Sequence, residues 1–213
     1  MDRDRLEASL GRRFARLATN AVVRRPGLWR LFRGPLRRQF ARLAPQWDDI
    51  LMADHLAGFE RALEQVEPPP RRALDLGTGT GDGAFAVARR FPEAEVVGVD
   101  LAVSMIEEAR RKTGPELAGR MRFEVGDAAA LPFEDGAFQL VTLANMIPFF
   151  DELARVVAPG GYVVFSFSGG SETPIYVDPA RLRAELERRE FTHFAELEVG
   201  RGTAFLARKA GAG

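Results

Sequence analysis

The residues best suited to chemistry lie between Ala73 and Ala84, which read Ala-Leu-Asp-Leu-Gly-Thr-Gly-Thr-Gly-Asp-Gly-Ala. A short apolar run closes on an acid, Asp75, and then Gly77, Gly79 and Gly81 alternate with Thr78 and Thr80. The next stretch, Ala84 to Arg90, has helix-forming composition. Strand, glycine turn and helix make the opening unit of a doubly wound sheet, and such a turn receives a nucleotide. Glycine suits it because the backbone bends sharply and a ligand approaches where a Cβ would stand. Glycines also close tight loops that bind nothing, so the turn alone leaves both readings open. Gly79-x-Gly81-x-x-Ala84 fits the dinucleotide fingerprint, which keeps a nicotinamide or flavin ligand in view. Asp75 speaks for a cationic ligand instead, since a carboxylate there would repel a diphosphate.

Two further acids stand in comparable places. Glu95 to Asp100 reads as a buried strand ending in a carboxylate, nineteen residues after Gly81. An acid at the end of a second strand accepts both ribose hydroxyls and would repel a 2′-phosphate. Ser104-Met105-Ile106-Glu107 offers a capping box for the following helix, which leaves Asp100 free for a ligand. Leu101 would then lie near an adenine. Met121 to Val125 reads as a third strand, followed by Gly126-Asp127-Ala128-Ala129-Ala130-Leu131-Pro132-Phe133.

The pattern Asp75-x-Gly77-x-Gly79-x-Gly81 resembles motif I of the class I S-adenosylmethionine-dependent methyltransferases, and the run from Gly126 to Phe133 resembles a stretch widespread in that family. The resemblance implies S-adenosylmethionine as cofactor. Asp75 would serve its methionine ammonium, directly or through water, within a turn formed by Gly77, Thr78, Gly79 and Gly81. Asp100 would take the ribose and Leu101 would neighbour the adenine. Asp127 would accept from the adenine amino group, while the Ala128 backbone N–H meets a ring nitrogen. Phe40 to Asp48 is similar to the segment that covers the cofactor in small-molecule members, including quinone-modifying ones. The implied activity is methyl transfer to a small, lipophilic acceptor.

Beyond Phe138 to Leu143, a fourth strand, comes Ala144-Asn145-Met146-Ile147-Pro148-Phe149-Phe150. Asn145 would hold the acceptor or the cofactor's ribose, or simply satisfy loop backbone; both readings stand. Met146, Ile147 and Phe149 make the loop apolar. The Asn-Pro-Pro-Tyr motif of base-modifying enzymes is absent, which argues against a nucleic-acid acceptor. No His or Lys stands in the core motifs as a base, and no catalytic residue is assigned. Two other classes remain open: a protein that binds the cofactor as a sensor or assembly factor without turnover, and a nucleic-acid methyltransferase using a basic arm.

The elements that must position these residues follow from the apolar pattern. A helix from Phe150, a turn at Ala158-Pro159-Gly160-Gly161 and a fifth strand from Tyr162 to Phe167 come next. A loop from Ser168 to Val177, with Pro174 and Tyr176, would face an acceptor. A helix from Asp178-Pro179 through Glu190 precedes a terminal hairpin, His193 to Val199 and Thr203 to Arg208, with His193 at a strand start and no chemical role. The fold class is α/β: a doubly wound sheet of seven strands behind an N-terminal helical extension, for which the resemblance implies the order 3-2-1-4-5-7-6 with the seventh strand antiparallel. The division is 1–70 for that Arg-rich, cofactor-covering extension and 71–213 for the Rossmann-like core.

The chain has 213 residues, no cysteine and only two histidines, His55 and His193, so neither disulfides nor a Cys-based metal site is available and no local metal motif stands out. No apolar run approaches the roughly 18 residues of a membrane span, and the charged N-terminus lacks a signal sequence's apolar core. A cytoplasmic location is the expectation. Net charge is zero, yet residues 1–47 hold twelve Arg against Asp2, Asp4 and Glu7. Leu6, Leu10, Phe14 and Leu17 recur at helical spacing; Pro26-Gly27 breaks the run; a second helix then carries Trp29, Phe32 and Phe40, with a kink expected at Gly34-Pro35. One helix is expected from Pro45 to Val66. The arm's surplus charge fits an anionic membrane surface, while its aromatics would equally dock on the core or on another copy of the chain.

Overall fold

The computed structural model of the protein describes residues 3–51 and 54–211, with side chains from Leu10 onward, so the side chain of Leu6 lies outside the described residues. Strands β1 (Arg72–Leu76), β2 (Glu95–Asp100), β3 (Met121–Val125), β4 (Phe138–Ala144), β5 (Val157–Phe167), β6 (Phe191–Val199) and β7 (Gly202–Lys209) form one sheet. Its order is β3-β2-β1-β4-β5-β7-β6, as the family resemblance implies. β7 runs antiparallel to both neighbours, and the β1–β2, β1–β4, β2–β3 and β4–β5 pairs are parallel.

The central strands are nearly continuous apolar runs because both faces are covered. Leu74, Val97, Val141 and Phe165 bury one face beneath α7 (Phe150–Val156) and α8 (Pro179–Glu187). Ala73, Val96, Leu140 and Val164 bury the other beneath α4 (Ala57–Leu63), α5 (Asp82–Arg90) and α6 (Val103–Lys112). Three expected boundaries move. The Pro159-Gly160-Gly161 stretch is an irregularity inside β5, which pairs Phe138 with Val157 and then Leu140 with Tyr162. His193 lies within β6 rather than at its start, at a register shift and with φ 50°. α8 stops at Glu187, three residues before the expected end.

The arm is α1 (Arg3–Arg24) and α2 (Trp29–Leu43), the latter one helix through Pro35. Ala15, Ala18, Val22, Trp29 and Leu36 are buried in the same cluster as the sheet's first face. Phe14, Phe32 and Phe40 pack against buried residues too, so the aromatics dock on the core and do not form an outward face. The single helix expected from Pro45 to Val66 is instead two, α3 (Trp47–Ile50) and α4, parted where Leu51 turns extended. The reason is that the two ends have different duties. Trp47 packs over the glycine turn, whereas Phe59 and Leu63 belong beneath β5 and β7. One straight helix cannot reach both.

Because Leu36 is 3 % exposed within that shared cluster, Leu36→Ala should cost about 2–5 kcal/mol. Denaturant unfolding followed at the sheet should show one transition with a lowered midpoint. An unmoved sheet transition would mean that the arm unfolds by itself.

Candidate functional site

The three acids sit at the carboxyl ends of, or just beyond, β1, β2 and β3, where open α/β sheets place ligands. Gly77, Gly79 and Gly81 all have positive φ, at 66°, 54° and 100°. The turn is tied to β2, for the Gly77 and Thr78 N–H groups both donate to Val99 O, at 2.8 and 3.1 Å. At Gly81, which caps α5, a Cβ would stand 2.8 Å from Phe85, so this glycine serves packing. At Gly77 and Gly79 a Cβ would instead meet Met146 and the Trp47 indole, side chains from the loop after β4 and from the arm.

Asp75 is buried beneath the turn. Its Oδ2 accepts from Thr78 Oγ1 and its Oδ1 from Thr142 Oγ1, each at 2.7 Å. A Cβ at Gly83 would stand 2.9 Å from Oδ2, so glycine there lets the first turn of α5 settle on the acid. Burial pushes the carboxyl up to about 6, against the opposing pull of both threonine hydroxyls. Asp100 lies at the rim. Its Oδ2 accepts from Gly79 N at 3.0 Å and its Oδ1 from Ala102 N at 2.8 Å, and burial raises it as well. The capping box expected at Ser104 is not formed. α6 starts at Val103 with Ala102 as its N-cap, two residues before Ser104, Asp100 itself bonds the backbone at Ala102, and Ser104 Oγ donates to Ala41 O at 3.2 Å. Asp100 is therefore not free, although each oxygen keeps a second lone pair.

Asp127 faces the arm. Trp29 Nε1 donates to its Oδ1 at 2.8 Å, Ala129 N donates to the same oxygen at 3.0 Å, and Arg33 Nη1 stands 3.4 Å from Oδ2. Ala128 is buried and Leu101 is half-buried against the same cluster. Asn145 has φ 50°; its Oδ1 accepts from Ser168 N at 3.0 Å, and its Nδ2 donates to Ser168 Oγ at 3.1 Å. Of its two readings, this geometry gives it the loop-backbone role, binding the ends of β4 and β5 together. Ile147 and Phe149 are core residues, and Met146 is the more open of that loop's apolar side chains. The loop from Ser168 to Val177 is pinned by α1, for Arg12 and Arg16 donate to the Glu172 and Ser171 carbonyls at 3.2 and 2.9 Å.

Sequence reasoning missed Lys112. Its ammonium meets Asp48 Oδ2 at 2.9 Å, Thr80 Oγ1 at 3.0 Å and Asp82 Oδ1 at 3.0 Å, which joins the arm, the glycine turn, α5 and α6. His55 Nε2 lies 3.3 Å from Asp82 Oδ2, and this contact, followed by Lys112, lowers Asp82 to about 2. A signal was present: Lys112 is one of two lysines among thirty basic residues.

The donor set fits S-adenosylmethionine. Acids capable of meeting hydroxyl and amino groups flank the apolar Leu101 and Ala128, beside a turn whose Gly77 and Gly79 have positive φ and lie beneath Met146 and Trp47. The strand order is that of the class I methyltransferase fold, and the sequence is similar to that of quinone-modifying members. Residues 73–161 match the family described as a methyltransferase domain. The chain is 43% identical over 141 residues to demethylmenaquinone methyltransferase of Thermus thermophilus, covering 59% of this chain and 62% of that one. It is 38% identical over 144 residues to malonyl-[acyl-carrier protein] O-methyltransferase of Halorhodospira halophila, covering 63% and 48%. The chain thus spans about half to three-fifths of the length of these relatives. A solved S-adenosylmethionine-dependent methyltransferase from Methanococcus maripaludis shares the fold, with a TM-score of 0.64, 16% identity, and coverage of 83% of this chain and 94% of that one.

Asp75 makes stability depend on pH. Its folded value lies above the unfolded one, so its contribution is fully present below about pH 4 and is lost as pH rises through about 6. A shift of about two units corresponds to at most about 3 kcal/mol. In the ligand-free protein, Asp75→Asn should therefore gain on the parent between pH 4 and 6.5 in paired denaturant titrations. Asp82 is depressed and titrates below that window. Parallel curves for the two proteins would show that Asp75 carries no such shift.

Proposed function

We propose that the chain transfers a methyl group from S-adenosylmethionine to a small, lipophilic acceptor. The observation that carries this reading is the contact between Asp100 and Gly79 N, which brings a ribose-binding acid against the glycine turn. Gly77, Thr78 and Gly79 line the turn that receives the cofactor and Gly81 closes it onto α5, with Asp100 and Leu101 at the ribose and adenine, and Asp127 and Ala128 at the far edge of the purine. Asp75 acts from beneath, where its hydrogen bonds to Thr78 and Thr142 hold the turn in shape; an ammonium above it would favour its ionised form. Asn145 shapes the loop that walls the site. The bound cofactor supplies an electrophilic methyl group. What the protein adds is alignment and an apolar surround, in which neutralisation of charge is favoured.

The acceptor side is walled by Met146 and by Tyr176, which packs edge-on against Phe167 at 5.1 Å. Burial first, and then Asp178, raise the Tyr176 hydroxyl, so at neutral pH it keeps its proton and serves as a donor. The relatives named for demethylmenaquinone support a lipophilic acceptor.

No helix among the described residues is long and apolar enough to cross a membrane. We place the protein in the cytoplasm, peripheral to an anionic bilayer through the outer face of its arm. Leu10, Leu17 and Leu31 are 55%, 60% and 69% exposed, and Arg13, Arg24, Arg30 and Arg38 are exposed around them. Leu10, Arg13, Leu17 and Arg24 recur at intervals of three, four and seven along α1, so they share one stripe. This stripe, rather than Trp29, Phe32 and Phe40, is the surface offered to lipid.

Calorimetry should show binding of S-adenosylmethionine or its demethylated product, and Asp100→Ala should weaken it roughly ten- to hundred-fold, the loss of charge-assisted bonds worth about 1.5–3 kcal/mol. Binding of NAD with no response to either sulfur ligand would overturn the assignment. In sedimentation, the protein should follow anionic but not neutral vesicles, less so at high salt, and Leu17→Glu with Leu31→Glu should weaken the association. Protein that stays in the supernatant with both vesicle types has no lipid-binding arm.

A further inference from the structure

Asp127 is held on one oxygen from two sides. Oδ1 receives the Trp29 indole N–H at 2.8 Å and the Ala129 amide at 3.0 Å, which together use its two lone pairs. Among the described residues Oδ2 meets only Arg33, at 3.4 Å and from a side chain 54% exposed. A carboxylate left alone turns about its last bond and presents either oxygen, and the Ala129 amide, two residues on, does not prevent this by itself. Trp29 does. Its ring is 9% exposed and set edge-on to Phe149 at 5.1 Å, and Phe149 is itself 6% exposed. The indole is a donor with no acceptor and no freedom to leave.

We propose that Trp29, although it belongs to the arm, is a positioning residue of the cofactor site. By saturating Oδ1 it fixes Asp127 so that Oδ2 is the oxygen presented to the purine 6-amino group, and it thereby sets the preference for adenine over a 6-oxo purine. The inference rests on the cofactor reading above. It gives the arm a part in recognition that packing alone does not require. A 6-oxo purine offers a carbonyl where adenine offers N–H, and a fixed carboxylate oxygen opposite that carbonyl repels it. A carboxylate free to turn discriminates less, because it can withdraw the facing oxygen.

The test compares S-adenosylhomocysteine with its deaminated analogue, whose purine carries a 6-oxo group, by calorimetry on the full chain. The parent protein should prefer the amino ligand by about ten-fold or more, as one charge-assisted hydrogen bond requires. Trp29→Phe keeps the ring and loses the N–H; it should reduce that preference to about three-fold or less, by weakening the amino ligand and strengthening the oxo ligand. Asp127→Ala should do the same, and the double variant should lose nothing further. Arg33→Gln should retain the preference. If Trp29→Phe fails to fold, Phe149→Leu loosens the same indole and should lower the preference in part. A Trp29→Phe protein that keeps the full preference shows that Trp29 only packs, and one that binds the amino ligand more tightly shows that the indole competes with adenine; both overturn the proposal. A parent protein that binds neither ligand removes the cofactor reading, and this inference falls with it.

Discussion

A buried carboxylate on the central strand is the constraint from which the rest of the site follows. Asp75 has no water to solvate it, so its hydrogen bonds must come from within the fold. Thr78 supplies one from the turn above and Thr142 another from the neighbouring strand. The third support is the N-terminal turn of α5, whose dipole favours negative charge; Gly83 is there because any side chain would strike the acid. The remaining cost of burial shows in a carboxyl pushed up to about 6. With β1, β4, the turn and α5 all fastened to one side chain, the Gly79 amide is brought to Asp100.

Around this centre the arm closes from two directions. At one side Lys112 gathers Asp48, Thr80 and Asp82. A compact ammonium suits three converging oxygens better than a planar guanidinium, which explains a lysine in a chain otherwise rich in arginine. At the other side Trp29 reaches Asp127 across ninety-eight positions of sequence. Between these points Ala18, Val22 and Leu36 bury themselves with the sheet. The arm's charge is only partly neutralised, since Arg12 and Arg16 serve carbonyls of the Ser168–Val177 loop while Arg13, Arg24 and Arg30 stay in solvent.

Much of this was legible from local pattern. Parallel strands buried on both faces appear as apolar runs, and the glycine turn, the acid at the end of β2 and the Gly126–Phe133 stretch appear as spacing, so the sheet and its ligand edge could be drawn beforehand. Boundaries that depend on neighbours could not. Pro159-Gly160-Gly161 has turn composition, yet pairing with β4 on both sides of it carries β5 through it as an irregularity. The stretch from Trp47 to Val66 has one helix's periodicity, yet its two ends pack on different parts of the molecule.

By itself the sequence determined the class of fold, the glycine turn and the acids at the strand ends, because each is written in residues a few positions apart; the strand order came from the family resemblance those motifs carry. Only the tertiary structure decided what those acids touch. Ser104 looked like the cap that would leave Asp100 free, but the N-cap of α6 is Ala102, two residues earlier, and Asp100 bonds Ala102 itself. The arm's aromatics looked equally fit for lipid or for protein, and the apolar surface beside Asp127 took Trp29 in. Partners such as Trp29 with Asp127 and Lys112 with Asp48 are far apart in the chain. Their contact is set by the packing of helices onto the sheet, and no local spacing encodes it.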